Sequence, residues 1–254
     1  PAAAGYHYKS MELDSGRSSN RNSLANLLAR AGLVDEARLV APDSADNIAQ
    51  WAGDWDTAIK MANDDLEQEP DSIDALYNSF FVLMWSGDAD SAYPFATRIW
   101  ERFEQHPLEM SDAPLFMSWV ATKTEHTGQA HLYREAGAKW LQVYIEAGLS
   151  DLSRYFGEAQ LATLDGRDSD AIIAITNYID KGGRWQIFLK HPVFDHLRND
   201  ERFQAQVSWL ADLVNTERGE ILAMLCGPDT ILTSWQPAPE TCETYRQETA
   251  VAKG

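Results

Sequence analysis

The sequence predicts an all-α fold, an α-solenoid of stacked antiparallel helix hairpins closed by a long C-terminal capping helix. Three observations predict it. Apolar residues recur at helical spacing, with no convincing strand alternation anywhere in the 254 residues. A glycine–alanine signature repeats along the chain. Nearly every candidate helix stops at a glycine or a proline.

Taken in order, Leu24, Leu27, Leu28 and Ala31 share one helical face that stops at Gly32. Gly53 and Gly87, Ala58 and Ala92, and Ala62 and Ala96 each stand 34 positions apart. The glycine ends the first helix of a hairpin, where a residue without Cβ can take a left-handed conformation. The alanine five positions on sits where two helices cross closely. Pro70 closes the second helix of this unit, and Asp71 and Ser72 cap the next, whose inner face is Leu76, Phe80, Leu83 and Met84. Gly32 with Ala37 and Gly166 with Ala171 repeat the signature out of register, so helix or connection lengths must vary. Gly128 is the candidate mark of a further unit, although Tyr133 stands where alanine is expected. Ile172, Ile175, Tyr178 and Ile179 form an apolar stripe that stops at Gly182 and Gly183.

The 34-residue period with this glycine and alanine placement resembles the tetratricopeptide family. The match is close over about residues 45–107 and looser over 22–42 and 111–182. It departs from the family at Leu76, where tryptophan is frequent, and at Phe80, which replaces a glycine of the first helix. The resemblance implies a superhelix that presents the first helix of each hairpin on a concave surface, where a peptide or partner helix can lie. It also implies that an asparagine such as Asn78 holds a peptide backbone; the alternative is a plain surface asparagine. A second stretch, Leu189 to Phe203, carries the pattern His-Pro-x-Phe-Asp-x-Leu-Arg-x-Asp-x-Arg-Phe. It is similar to the end of the tetratricopeptide arrays of bacterial winged-helix transcription regulators and class III adenylyl cyclases. Physically, Pro192 starts a short helix, Asp200 caps a long one reaching about Leu225, and Phe194, Leu197 and Phe203 cover the end of the array. The expected organisation is a polar N-terminal arm over 1–21 (with Tyr6 and Tyr8), repeats over 22–182, a capping segment and long helix over 183–226, and a Pro-containing tail over 227–254.

A formal net charge of −18 argues against direct nucleic-acid binding and against anionic lipid surfaces, and leaves a basic partner open. The longest apolar run, Phe80 to Trp85, ends at Ser86-Gly87-Asp88, so no membrane insertion is expected. Pro1 to Asn20 has no apolar core of a signal peptide. Whether an effector domain or anchor precedes Pro1 is left open. Cys226 and Cys242 admit two readings. Bridged, they would hold down the Pro-rich tail and point to an exported or periplasmic setting; as free thiols they fit a cytoplasmic one.

No constellation predicts catalysis, and no metal or cofactor is expected. His126 and His131, like His191 and His196, are five apart, a spacing that a helix sends to diverging faces. Lys181-Gly182-Gly183-Arg184 is a helix stop rather than a phosphate loop. Adjacent carboxylates such as Asp64 and Asp65 arise readily among 39 acids. The informative excess is aromatic, with nine Trp, nine Tyr and nine Phe. Candidate residues of the concave face are Trp51, Tyr77, Asn78, Phe81, Trp85, Trp119, Lys123 and Tyr155, with Gln160 on the same helix as Tyr155. The alternative is that most of them fill gaps between helices. The expected function is an interaction or sensory region of a bacterial regulator that binds a protein or peptide. The competing reading is a small-molecule sensor, its aromatic and acidic residues surrounding a cationic ligand.

Overall fold

The computed structural model describes residues 7, 18–103, 113–148, 150–227 and 237–251, and all regular structure among them is helical. None of these helices is long and apolar enough to cross a membrane. The chain divides into two compact units, Pro1–Asp54 with Ala211–Gly254, and Trp55–Leu210.

The first unit contains α1 (Ser18–Arg30), α2 (Val34–Val40) and α3 (Ala45–Ala52). It also takes in α12 (Glu201–Cys226) from Ala211 onward and α13 (Pro239–Val251). Leu24 and Leu28 of α1 pack with Ile48 of α3 and with Ile221, Leu222 and Leu225 of α12 to form its core. The helix begins at Ser18, inside the stretch expected to be a polar arm; Tyr6 and Tyr8 lie outside the described residues.

The tail expected beyond Gly227 also contains a helix. Pro239 opens α13 at a position where its missing N–H costs nothing. The acceptor for this helix start comes from far away in the chain. The buried Glu36 carboxylate accepts the Ala238 N–H at 3.1 and 3.2 Å and also accepts the Thr241 hydroxyl. Cys226 and Cys242 are joined by a disulfide, so α13 is tied to the end of α12.

The second unit contains α4 (Trp55–Gln68), α5 (Ile73–Ser86), α6 (Ala89–Phe103), α7 (Ala113–Lys123), α8 (Thr127–Glu146), α9 (Asp151–Leu164), α10 (Asp168–Asp180) and α11 (Gln186–Leu189). A 3-10 turn over Pro192–Leu197 and the start of α12 complete it. Each of α4 to α9 packs against its successor, α9 packs on α10, and α7 also meets α9. Ala58, Ala62, Ala92 and Ala96 are all buried, as close helix crossings require. Small polar residues fit the same crossings: the Ser79 hydroxyl donates to the Ala62 carbonyl at 3.4 Å and Ser118 to Ala130 at 2.9 Å.

Helix ends follow local chemistry. The Ser72 hydroxyl accepts the Ala75 N–H at 3.5 Å and starts α5. Gly87 (φ 89°) stops it, with the Gly87 and Asp88 N–H groups donating to Met84 and Leu83. At the start of α12 the Asp200 carboxylate accepts the Arg202 N–H at 2.8 Å. The Arg202 guanidinium beside it holds that carboxyl down at about 2.

Gly128 does not mark a turn, because it lies within α8. The left-handed residue between α7 and α8 is Glu125 (φ 63°), and its N–H and that of His126 donate to Thr122 and Ala121. Five positions on stands the buried Ala130. The signature is therefore present with glutamate in the glycine place, which a search keyed on glycine passes over.

Candidate functional site

The densest concentration of aromatic side chains lies in the second unit, and its centre is His191. The local sequence dictates how this residue is held. Lys190 and His191 separate α11 from the 3-10 turn that Pro192 opens, so the His191 backbone is extended (φ −56°, ψ 134°) and its ring folds back over the turn. The ring Nδ1 accepts the Val193 N–H at 2.9 Å. The proton therefore sits on Nε2, which faces the Met84 sulfur of α5 at 2.7 Å.

Aromatic rings surround the imidazole. Trp85 meets it edge-on with centroids 4.4 Å apart, Phe116 lies at 5.3 Å and Trp119 at 5.8 Å. His191 is 0% exposed. Burial pushes its pKa down to about 3, helped by the positive charge of Arg198. It is a neutral, buried imidazole with both nitrogens engaged within the protein.

The ring contacts continue on both sides. Trp85 packs on Trp55 at 6.0 Å and on Trp185 at 5.1 Å. Phe116 leads to Phe156 at 5.8 Å, Phe156 to Phe188 at 4.3 Å, and Phe188 to Phe194 at 5.3 Å. Residues 185–197 thus lie against the aromatic faces of α5, α7 and α9. Contacts of this kind add about 0.5–1.5 kcal/mol per pair beyond the area they bury.

The candidate residues divide by solvent access. Trp85 and Trp119, at 3% and 5% exposure, are covered and fill space between elements. Tyr77, Asn78 and Phe81 on α5 remain half-buried, with the Tyr77 and Phe81 rings 6.2 Å apart and Phe81 reaching Trp85 at 5.7 Å. Lys123 is exposed, its ammonium 6.0 Å over the Trp119 ring. Tyr155, on α9, is half-buried beneath the Arg154 guanidinium at 5.2 Å. Trp51 belongs to the other unit, where Arg30 lies 5.0 Å over its ring.

Sequence reasoning placed His191 in a capping segment and weighed it with His196 only as a metal pair, and it gave Phe116, Phe156 and Trp185 no part in a site. The available signal was Trp185, Phe188, His191 and Phe194, four ring residues spaced three apart in one short irregular stretch. Three further histidines have local partners: His126 stacks on Tyr93 at 3.8 Å, His131 meets Glu135 at 3.2 Å, and His196 meets Asp168 at 2.9 Å. No family model matches the chain, and comparison with curated proteins finds no match.

Proposed function

We propose that the chain is a tetratricopeptide-type interaction region of a bacterial regulatory protein, with its helix hairpins stacked as an α-solenoid and with binding rather than catalysis as its role. The observation that carries this reading is the agreement between repeat and backbone. Gly53 and Gly87 both take left-handed conformations (φ 75° and 89°), and Ala58 and Ala92, like Ala62 and Ala96, are buried at equivalent places. Such units cannot bury their apolar faces singly, and the architecture is used mainly to present binding surfaces.

The partner is a protein or peptide segment, met by Tyr77, Asn78 and Phe81 of α5, where aromatic area keeps solvent access. Trp85 supports that surface through its contact with Phe81, while Trp119, like Trp85, is already covered. The net charge of −18 favours a basic segment, steered electrostatically and weakened by salt.

The test is retention of a partner by the purified chain and by an Asn78→Ala, Phe81→Ala variant of equal helix content. A specific protein held by the wild type, lost by the variant and weakened as salt rises is the expected result. Equal retention by both, or none under oxidising and reducing conditions alike, would overturn the reading.

A further inference from the structure

The C-terminal helix α13 is tied to the first unit by a bridge, a carboxylate and a ring. Cys242 is bonded to Cys226 at the end of α12, the Glu36 carboxylate accepts the Ala238 N–H and the Thr241 hydroxyl, and Tyr245 packs partly buried against the core. No packed apolar face accompanies these ties. Among the described side chains of α13, Cys242 alone is buried, while Thr241, Tyr245 and Thr249 are half-buried. Glu240, Glu243, Thr244, Arg246 and Gln247 are exposed. A space of about 250 Å³ lies between α13 and its neighbours, bounded by Leu33 and Glu36, by Arg218 and Leu222 of α12, and by Thr241 and Tyr245.

The core of the unit closes without this helix. Leu24 and Leu28 of α1, Ala37 of α2, Ile48 of α3 and Ile221 and Leu225 of α12 are buried in one cluster, and none of its fully buried members comes from α13. A helix of 13 residues is marginal in water on its own. A segment with few buried apolar contacts opens locally before the domain around it does.

From these features we infer that the Cys226–Cys242 bridge is a redox latch: its reduction by a dithiol releases α13 and uncovers the Glu36 carboxylate and the surface of Leu33 and Leu222, while α1, α2, α3 and α12 stay folded. Entry is through Cys226, which is half-buried, whereas Cys242 is 7% exposed. A thiolate of the reductant bonds to Cys226 Sγ, the disulfide breaks, and Cys242 departs as a thiolate that takes up a proton. The second thiol of the reductant then attacks the mixed disulfide. Cys226 leaves as a thiolate, also protonated, and the reductant is oxidised to its own disulfide. With the bridge open, Glu36 and Tyr245 must hold a polar helix whose start is no longer fixed to α12.

The latch goes beyond the interaction function above. It lies in the first unit and uses none of Tyr77, Asn78 or Phe81, so either function can fail while the other stands.

The experiment follows hydrogen exchange of the full chain in native buffer before and after dithiothreitol, with alkylation to count the thiols opened. The chain has two cysteines, so the reductant has no other disulfide within it to act on. Amides of α13 are expected to exchange about tenfold faster or more after reduction, and those of α1 and α12 less than about twofold faster. Reoxidation should restore the slow exchange. Trypsin gives a second reading, because cleavage after Arg246 requires α13 to open and should accelerate by a similar factor. In the doubly substituted Cys226→Ser, Cys242→Ser chain, α13 should exchange fast with or without dithiothreitol. A bridge that dithiothreitol leaves closed in native buffer, unchanged exchange in α13 once it is open, equal acceleration in α1 and α12, or a response that persists without the cysteines would overturn the proposal.

Discussion

Glu125 ends α7 in the same left-handed backbone conformation with which Gly87 ends α5, at φ 63° and 89°, with matching hydrogen bonds across each turn. A side chain in that region carries a penalty of roughly 1–2 kcal/mol that glycine escapes. Glu125→Gly is therefore expected to stabilise the protein by about 1 kcal/mol, less what the freer unfolded chain takes back. Gly87→Ala should destabilise by a similar amount through conformation alone, since the added Cβ meets only Pro192 Cγ at 3.9 Å. Urea denaturation of the two variants checks both signs, and the same direction for both would refute the equivalence.

The buried His191 makes stability depend on pH. Its pKa is about 3 in the folded chain against 6.5 as a free group, so the unfolded state binds the proton first as pH falls. The stabilisation is complete above pH 6.5 and declines steadily towards pH 3. The slope reaches at most about 1.4 kcal/mol per pH unit for one proton. Between about pH 5 and 6.5, above the usual carboxylate range, His191→Phe should flatten this slope in urea titrations. An unchanged slope would mean that His191 is not the group responsible.

Glu36 should matter to the C-terminal helix more than to its own. Glu36→Ala leaves the Ala238 N–H and the Thr241 hydroxyl without their acceptor, at a cost of about 1–3 kcal/mol. Hydrogen exchange should accelerate first in α13. Uniform acceleration over both units would argue that the carboxylate is not a local cap.

The disulfide gives a direct count. Alkylation of the unreduced, denatured chain should add no label, and two after reduction, at Cys226 and Cys242. Replacing both cysteines with serine should destabilise the protein by roughly 2–4 kcal/mol, as expected for a bridge closing a loop of this length. Combined with Glu36→Ala, the losses should fall short of additive, since both changes release the same helix.

Helix faces were legible where chemistry is local. Leu24 and Leu28, Leu76 and Phe80, and Ile175 and Ile179 carry their burial in their spacing, and Ser72, Gly87 and Asp200 act on groups within a few residues. The start of α13 was not legible because its acceptor, Glu36, stands some two hundred positions away. The α7–α8 turn escaped notice because Glu125 tolerates strain where glycine was sought. The candidate surface was half legible. Period places Tyr77, Phe81 and Trp85 on one helix, but no spacing rule says that residues 185–197 fold back over Trp85 and Trp119.

The first unit is assembled from residues on both sides of the second in the chain, with Leu24 and Leu28 packed against Ile221, Leu222 and Leu225. On the ribosome, residues 55–210 therefore emerge as an uninterrupted folding unit, while α1 to α3 wait for the stretch that follows. During that interval Leu24 and Leu28 have Ile48 beside them but lack Ile221, Leu222 and Leu225, which are not yet synthesised. A stalled or truncated product ending before Ile221 would present a finished middle and an adhesive beginning, the kind of species that chaperones and proteases recognise.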